Sequence, residues 1–131
     1  MTRHGLGGMA VALLGLAAVP AAWAAGDAVR GAALVASRSS GLCTLCHAVP
    51  GVAEHLSGDI GPPLHGVGAR LEAGALRERL LAPQRFNPDT VMPAYGPPAA
   101  GLQRVAAERQ GRPLLTPAQI DDVVAYLASL R

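Results

Sequence analysis

The chain has 131 residues, a formal charge of +2 and only 3% aromatic residues, a length that fits one domain. Its cations are eleven arginines with no lysine, set against nine acids. That near-neutral balance argues against nucleic acid or an anionic membrane as partner. Two cysteines leave no room for the disulfide framework that many small secreted domains use.

The chain opens on Arg3 and His4, a short basic region, followed by an apolar stretch from Leu6 to Val19 that Pro20 breaks. The stretch is shorter than the ~18–20 residues a helix needs to cross a bilayer. Ala22-Trp23-Ala24 places small residues at both recognition positions of a signal-peptide cleavage site. Residues 1–24 are therefore expected to be a secretory signal, and residues 25–131 the mature domain, with no stable membrane insertion. Losing Arg3 and Trp23 leaves ten arginines against nine acids, and Phe86, Tyr95 and Tyr126 as the aromatics. So small a domain, so poor in aromatics, has little with which to build a core of its own.

Asp27 to Ser37 is predicted as a first helix, with Ala28, Ala32, Val35 and Ala36 at helical spacing and Asp27 as its cap. Ser39-Ser40-Gly41 ends it, and Ala48–Gly58 reads as loop. Ile60 to Gly68 is punctuated by Gly and Pro yet rich in apolar residues, which suits chain packed closely against something flat. Leu71 to Leu81 is a second helix, with Leu76, Leu80 and Leu81 inward, Glu72, Arg77, Glu78 and Arg79 outward, and Pro83 as its stop. Phe86 to Tyr95 is an extended loop, because Asn87 and Met92 each precede a proline. Gly96 to Pro113 is irregular, with room for a short helix around Leu102 to Arg109. The last helix starts at a Thr116–Gln119 capping box with Pro117 in its first turn. It carries the stripe Ile120, Val123, Val124, Leu127, Leu130. Asp121 and Asp122 suit its positive end and Arg131 its negative end. No strand pattern occurs, so the class is all-α.

The chemistry lies in Cys43-Thr44-Leu45-Cys46-His47. C-x-x-C-H is the attachment motif of a c-type haem. Two thiols three positions apart reach the two vinyl groups along one haem edge, and the following imidazole comes under the iron as proximal ligand. A redox disulfide wants a thioredoxin-like βαβ pattern, and a structural zinc wants a second Cys/His pair; neither is present in the sequence. One covalent haem c would also supply the apolar surface that the aromatic-poor core lacks. For the other face of the iron the candidates are Met92, His55, His65 or an open site. Met92 is the one methionine beyond the leader and sits in the proline-held loop, so it is favoured; Met/His ligation raises the reduction potential and closes the iron to exogenous ligands. The expected metal ligands are thus His47 and Met92.

With C-T-L-C-H, G-P-P-L-H-G-V-G-A-R, a Met-Pro loop and a final V-V-A-Y-L helix, the sequence resembles the class I cytochrome c family. That resemblance implies its all-α fold around one haem. It also implies that the carbonyl of Pro62 orients the ring of His47, and that Tyr126 crosses over Gly31 where the first and last helices meet. The blocks from Arg85 to Tyr95, Gly101 to Val105, Gly111 to Thr116 and Asp121 to Leu127 are similar to the SoxX family, the mono-haem subunits of the SoxAX thiosulfate-oxidising cytochromes. The likeness implies a periplasmic heterodimer with a SoxA-like subunit. Such a complex couples thiosulfate oxidatively to a cysteine of the carrier SoxYZ and passes electrons to a downstream acceptor. Within such an L-cysteine S-thiosulfotransferase this chain would be the redox subunit, with no catalytic residue of its own, because the haem leaves it no free thiol. A free-standing electron shuttle to an oxidase is the alternative. The long segment from Gly96 to Leu115 is expected to cover the haem side or contact the partner through Leu102 and Val105, with Arg104 or Arg109 pairing acids across the interface.

Overall fold

The computed structural model describes residues 25–97 and 106–131. The leader, and the Leu102, Arg104 and Val105 expectations, lie outside them. The first helix, α1 (Ala28–Ala36), starts where the carboxylate of Asp27 accepts from the backbone N–H groups of Val29 and Arg30 at 2.8 and 3.0 Å. It satisfies two of the four donors that a helix start leaves open. The last helix, α4 (Pro117–Ser129), starts on the expected capping box: Thr116 Oγ1 accepts from Gln119 N and Gln119 Oε1 accepts from Thr116 N.

These two terminal helices cross and form the most extensive contact of the fold. Gly31 sits at the crossing. A Cβ there would run into the backbone carbonyl of Asp122 and lie 2.9 Å from Tyr126 Cβ, so only glycine lets the helices approach this closely. Val35, Ile120 and Val123 close the seam and are fully buried.

Asp122 is buried too, which its place near a helix start does not explain. Its two carboxylate oxygens accept from Arg30 Nε and Nη2 at 2.8 and 2.9 Å, and Oδ1 also accepts from Asp27 N at 2.7 Å. Two-point Arg–carboxylate pairing of this kind is among the stronger polar contacts. The hydrogen bonds from Arg30 first, and then from the Asp27 backbone, hold the Asp122 carboxyl below its ordinary range. Asp121 pairs instead with Arg77 and joins α4 to α3.

Between the terminal helices lie a short α2 (Val67–Arg70) and α3 (Ala73–Leu81), both packed on α4. The α2 turn is absent from the sequence pattern. It forms because Gly66 takes a left-handed φ of +62° and turns the chain into it. Leu71 then closes the turn with its N–H on Val67 O while its own backbone is extended, so the predicted helix from Leu71 begins two residues later, at Ala73. Leu76 and Leu80 are buried as expected. Single 3₁₀ turns fill Cys43–Leu45, Glu54–Leu56, Pro83–Arg85 and Ala107–Arg109; of the short helix expected around Leu102 to Arg109, only residues 106–109 are described, and they hold this last turn. Among the described residues there is no strand, and no helix is long and apolar enough to cross a membrane.

Candidate haem site

A cavity of about 560 Å³ opens beside α3, within the size range of ligand and cofactor sites. Cys43, Cys46, His47, Pro62 and Met92 all line it. His55 and His65 are exposed and do not.

The cysteine side is set by local backbone geometry. Leu42 adopts φ +60°, the one left-handed non-glycine among the described residues. Such a conformation is uncommon for a branched side chain and here turns the chain into the Cys43–Leu45 3₁₀ turn. His47 N then donates to Cys43 O at 2.9 Å, which places the histidine one turn beyond the first cysteine. The rest of the wall comes from the Gly-Pro segment. Gly61 N donates to Cys46 O and Leu64 N to Ala48 O, at 2.8 and 2.9 Å, so the segment is tied down on both sides of its prolines. A side chain at Gly61 would collide with the His47 ring. His47 Nδ1 lies 2.6 Å from Pro62 O. With Nδ1 carrying the proton and donating to that carbonyl, Nε2 is the bare nitrogen available to a metal, and the ring is fixed in rotation. Arg70 braces the same segment by donating to the carbonyls of His65 and Pro63 at 2.6 and 3.2 Å.

The methionine side is a loop held at several points. Met92 N donates to Thr90 Oγ1, and Met92 O accepts from Gln84 Nε2, both at 3.2 Å. Tyr95 anchors the loop's end. Its N–H donates to Leu80 O (2.8 Å), its C=O accepts from Leu115 N (3.1 Å), and its buried hydroxyl donates to Gly41 O (2.6 Å). That last bond joins the methionine loop to the chain just before Cys43.

The donors and the lining fit a covalent haem. The wall is mostly apolar. It carries two arginines, Arg70 and Arg79, and no Asp or Glu, which suits a flat apolar group bearing carboxylates. Leu45, Ile60, Phe86 and Val91 line it yet remain substantially exposed, as side chains do when their packing partner is a cofactor. Cys43 and Cys46 are not joined to each other. Burial pushes the Cys43 thiol up to about 11, so it is a poor thiolate for disulfide exchange.

Two contributors were not visible as such in the sequence. Tyr95 stood in the recognised Met-Pro block, but nothing there revealed its bond to Gly41. Arg79 was expected on the outer face. It lies three residues after the buried Leu76, a spacing that shares a helix face and is the signal that could have found it. It lines the cavity with its guanidinium 4.2 Å above the Phe86 ring.

Helices crossing over a glycine, a C-x-x-C-H turn and an oriented histidine beside a methionine loop define a class I cytochrome c. The cytochrome c family model matches residues 28–131, and the chain belongs to that family, whose members carry covalent haem c and transfer electrons. Within it the chain is similar to the crystal structure of SoxXA from P. pantotrophus, with a TM-score of 0.70 and 30% identity over 82% of this chain and 83% of that one. The likeness supports a SoxX-like cytochrome. No curated protein matches the sequence.

Proposed function

We propose that this chain is the mono-haem electron-transfer subunit of a periplasmic SoxAX-type cytochrome. Residues 1–24 would be its cleaved leader and residues 25–131 its cytochrome domain. Its partner would be a SoxA-like subunit. Together they would couple thiosulfate to a cysteine of a SoxYZ carrier, with the electrons relayed to a downstream acceptor. The observation that carries the division of labour is the cysteine count: both cysteines belong to the C-x-x-C-H motif, and no thiol is left for sulfur transfer.

When bound, the haem supplies a one-electron couple. The chain's part is to hold it. Cys43 and Cys46 would attach it covalently, and His47 and Met92 would hold its iron. Accepting from Nδ1, Pro62 O would leave Nε2 of His47 as the nitrogen free to hold the iron. Held by both His47 and Met92, the haem would be closed to exogenous ligands and confined to electron transfer.

The test is reconstitution. The purified haem-loaded chain is expected to be reducible yet inert toward thiosulfate and a thiol acceptor. Modification of the acceptor cysteine should appear only when a SoxA-like subunit is added. Thiosulfate-dependent modification by the isolated chain would refute the division of labour. Failure to bind a SoxA-like subunit would favour the free-standing shuttle.

A further inference from the structure

Arg79 is, with Arg70, one of two arginines in a mostly apolar wall that holds no acid. On α3 it follows Leu76 by one turn and precedes Leu80, both buried, and all three line the cavity. The side chain is only half-buried, so its stem lies on apolar surface while its head keeps some contact with water. That head is held in place. The guanidinium stands 4.2 Å over the centroid of Phe86, within cation–π range, and Nη1 reaches back toward Ala75 O at 3.4 Å.

No carboxylate among the described residues pairs with it. The ion pairs there are Arg30 with Asp27 and Asp122, and Arg77 with Asp121, and the cavity wall contains no acid. A cation taken partly out of water without a counter-charge is unfavourable unless the site provides compensation. The negative charge missing from this wall is what a haem bearing carboxylates brings.

We propose that Arg79 is a potential-setting residue, a cation clamped over Phe86 in the haem cavity that favours the reduced haem. The electrostatic sign is fixed. Taking one electron from a donor converts ferric to ferrous iron and lowers the charge of the site by one. A nearby fixed positive charge opposes the more positive oxidised state. Its influence is larger in a low-dielectric cavity than in water. Arg79 acts through the field and does not ligate the metal, so it is a positioning residue. The inference rests on haem binding in this cavity but not on the SoxA-like partner or on thiosulfate.

The experiment is equilibrium redox titration of the isolated haem-loaded chain, run on variants whose visible spectra match the parent. Arg79→Gln is expected to lower the equilibrium constant for reduction about tenfold, which for a one-electron couple is about 59 mV. Arg79→Lys, which keeps the charge, should stay within about threefold of the parent. Arg85→Gln removes an exposed arginine off the cavity wall and should leave the titration unchanged. An unshifted Arg79→Gln variant would overturn the proposal. So would equal shifts in Arg79→Gln and Arg79→Lys, or an equal shift in Arg85→Gln. Should Arg79→Gln fail to load haem, Phe86→Leu decides. It leaves the arginine but removes its clamp, and is expected to lower the constant about threefold; an unchanged titration overturns the proposal. If the parent chain fails to bind a SoxA-like subunit while Arg79→Gln still shifts the titration, the proposed function fails and this proposal stands.

Discussion

The crossing of α1 and α4 and the rim of the cavity are built from similar apolar residues, yet they are finished in opposite ways. At the crossing, Val35 and Val123 have no exposed surface and Ile120 has 2%. At the rim, Ile60 is 70% exposed and Val91 76%. The crossing is complete within the polypeptide: glycine permits contact, branched side chains fill it, and the Arg30–Asp122 pair seals the edge. The rim would be completed by the haem that the proposed site holds. One region should therefore respond to changes in packing volume and the other to loss of the cofactor, and each substitution below separates the two.

The largest effect is expected from preventing haem attachment. Cys43→Ala with Cys46→Ala should leave the segments around the cavity without their packing surface, giving a protease-sensitive chain with reduced helix content by circular dichroism. A helical, protease-resistant apoprotein would mean that the α1–α4 crossing suffices to order the whole domain. Next comes the crossing itself. Gly31→Val puts a branched side chain against the Asp122 carbonyl and Tyr126, and overpacking of this kind destabilises by about 3 kcal/mol. Denaturant unfolding should register that loss while the haem spectrum of the folded fraction stays normal.

Met92→Ala reverses the pattern. It removes a half-buried side chain of the cavity wall, so the fold should persist. The iron should become open to carbon monoxide or cyanide and the reduction potential should fall, since methionine ligation raises it. His55→Ala and His65→Ala should leave the spectrum alone. If His65→Ala changes the oxidised spectrum and Met92→Ala does not, the axial assignment is wrong.

What the sequence revealed follows the range of the interaction. The caps of α1 and α4, the apolar stripe of α4 and the C-x-x-C-H turn are each set by residues within one or two turns, so their chemistry can be read in order. Asp122 could not be read this way. Its position near a helix start already accounts for an acid, and its partner Arg30 lies 92 positions away. Arg79 was hidden for a related reason. In the Leu71–Leu81 pattern an arginine belongs outside, and only the haem cavity supplies an inner surface that tolerates one. The α2 turn depends on Gly66 adopting positive φ, which composition permits but does not require.

The Asp122 site also predicts a pH dependence. Its carboxyl is held below the ordinary value in the folded chain, chiefly by Arg30. The unfolded chain therefore takes up a proton first as the pH falls. The stabilisation is full above the unfolded value of about 4, declines below it, and is gone once the pH passes the lowered folded value. Thermal unfolding from pH 7 to pH 2 should show an acid limb that flattens in Asp122→Asn. An identical limb in both proteins would assign the acid loss to other carboxylates.

The smallest effect should come from Tyr95→Phe, and it tests whether the methionine and cysteine sides of the cavity are joined. The Tyr95 hydroxyl donates to Gly41 O across 54 positions of sequence, linking the methionine loop to the start of the cysteine turn. Phenylalanine keeps the ring and both backbone hydrogen bonds to Leu80 and Leu115. It removes one buried hydrogen bond and leaves Gly41 O with the weaker Cys43 Sγ contact at 3.4 Å. Global stability should fall by about 1 kcal/mol. The more telling measurement is retention of Met92 on the oxidised iron as the pH is raised. With one tether gone, displacement of Met92 should begin at lower pH than in the parent, although Tyr95 is not itself one of the proposed ligands. If stability falls while the pH of displacement stays put, the bond serves the fold alone, and the methionine loop is held by Thr90, Gln84 and the Tyr95 backbone.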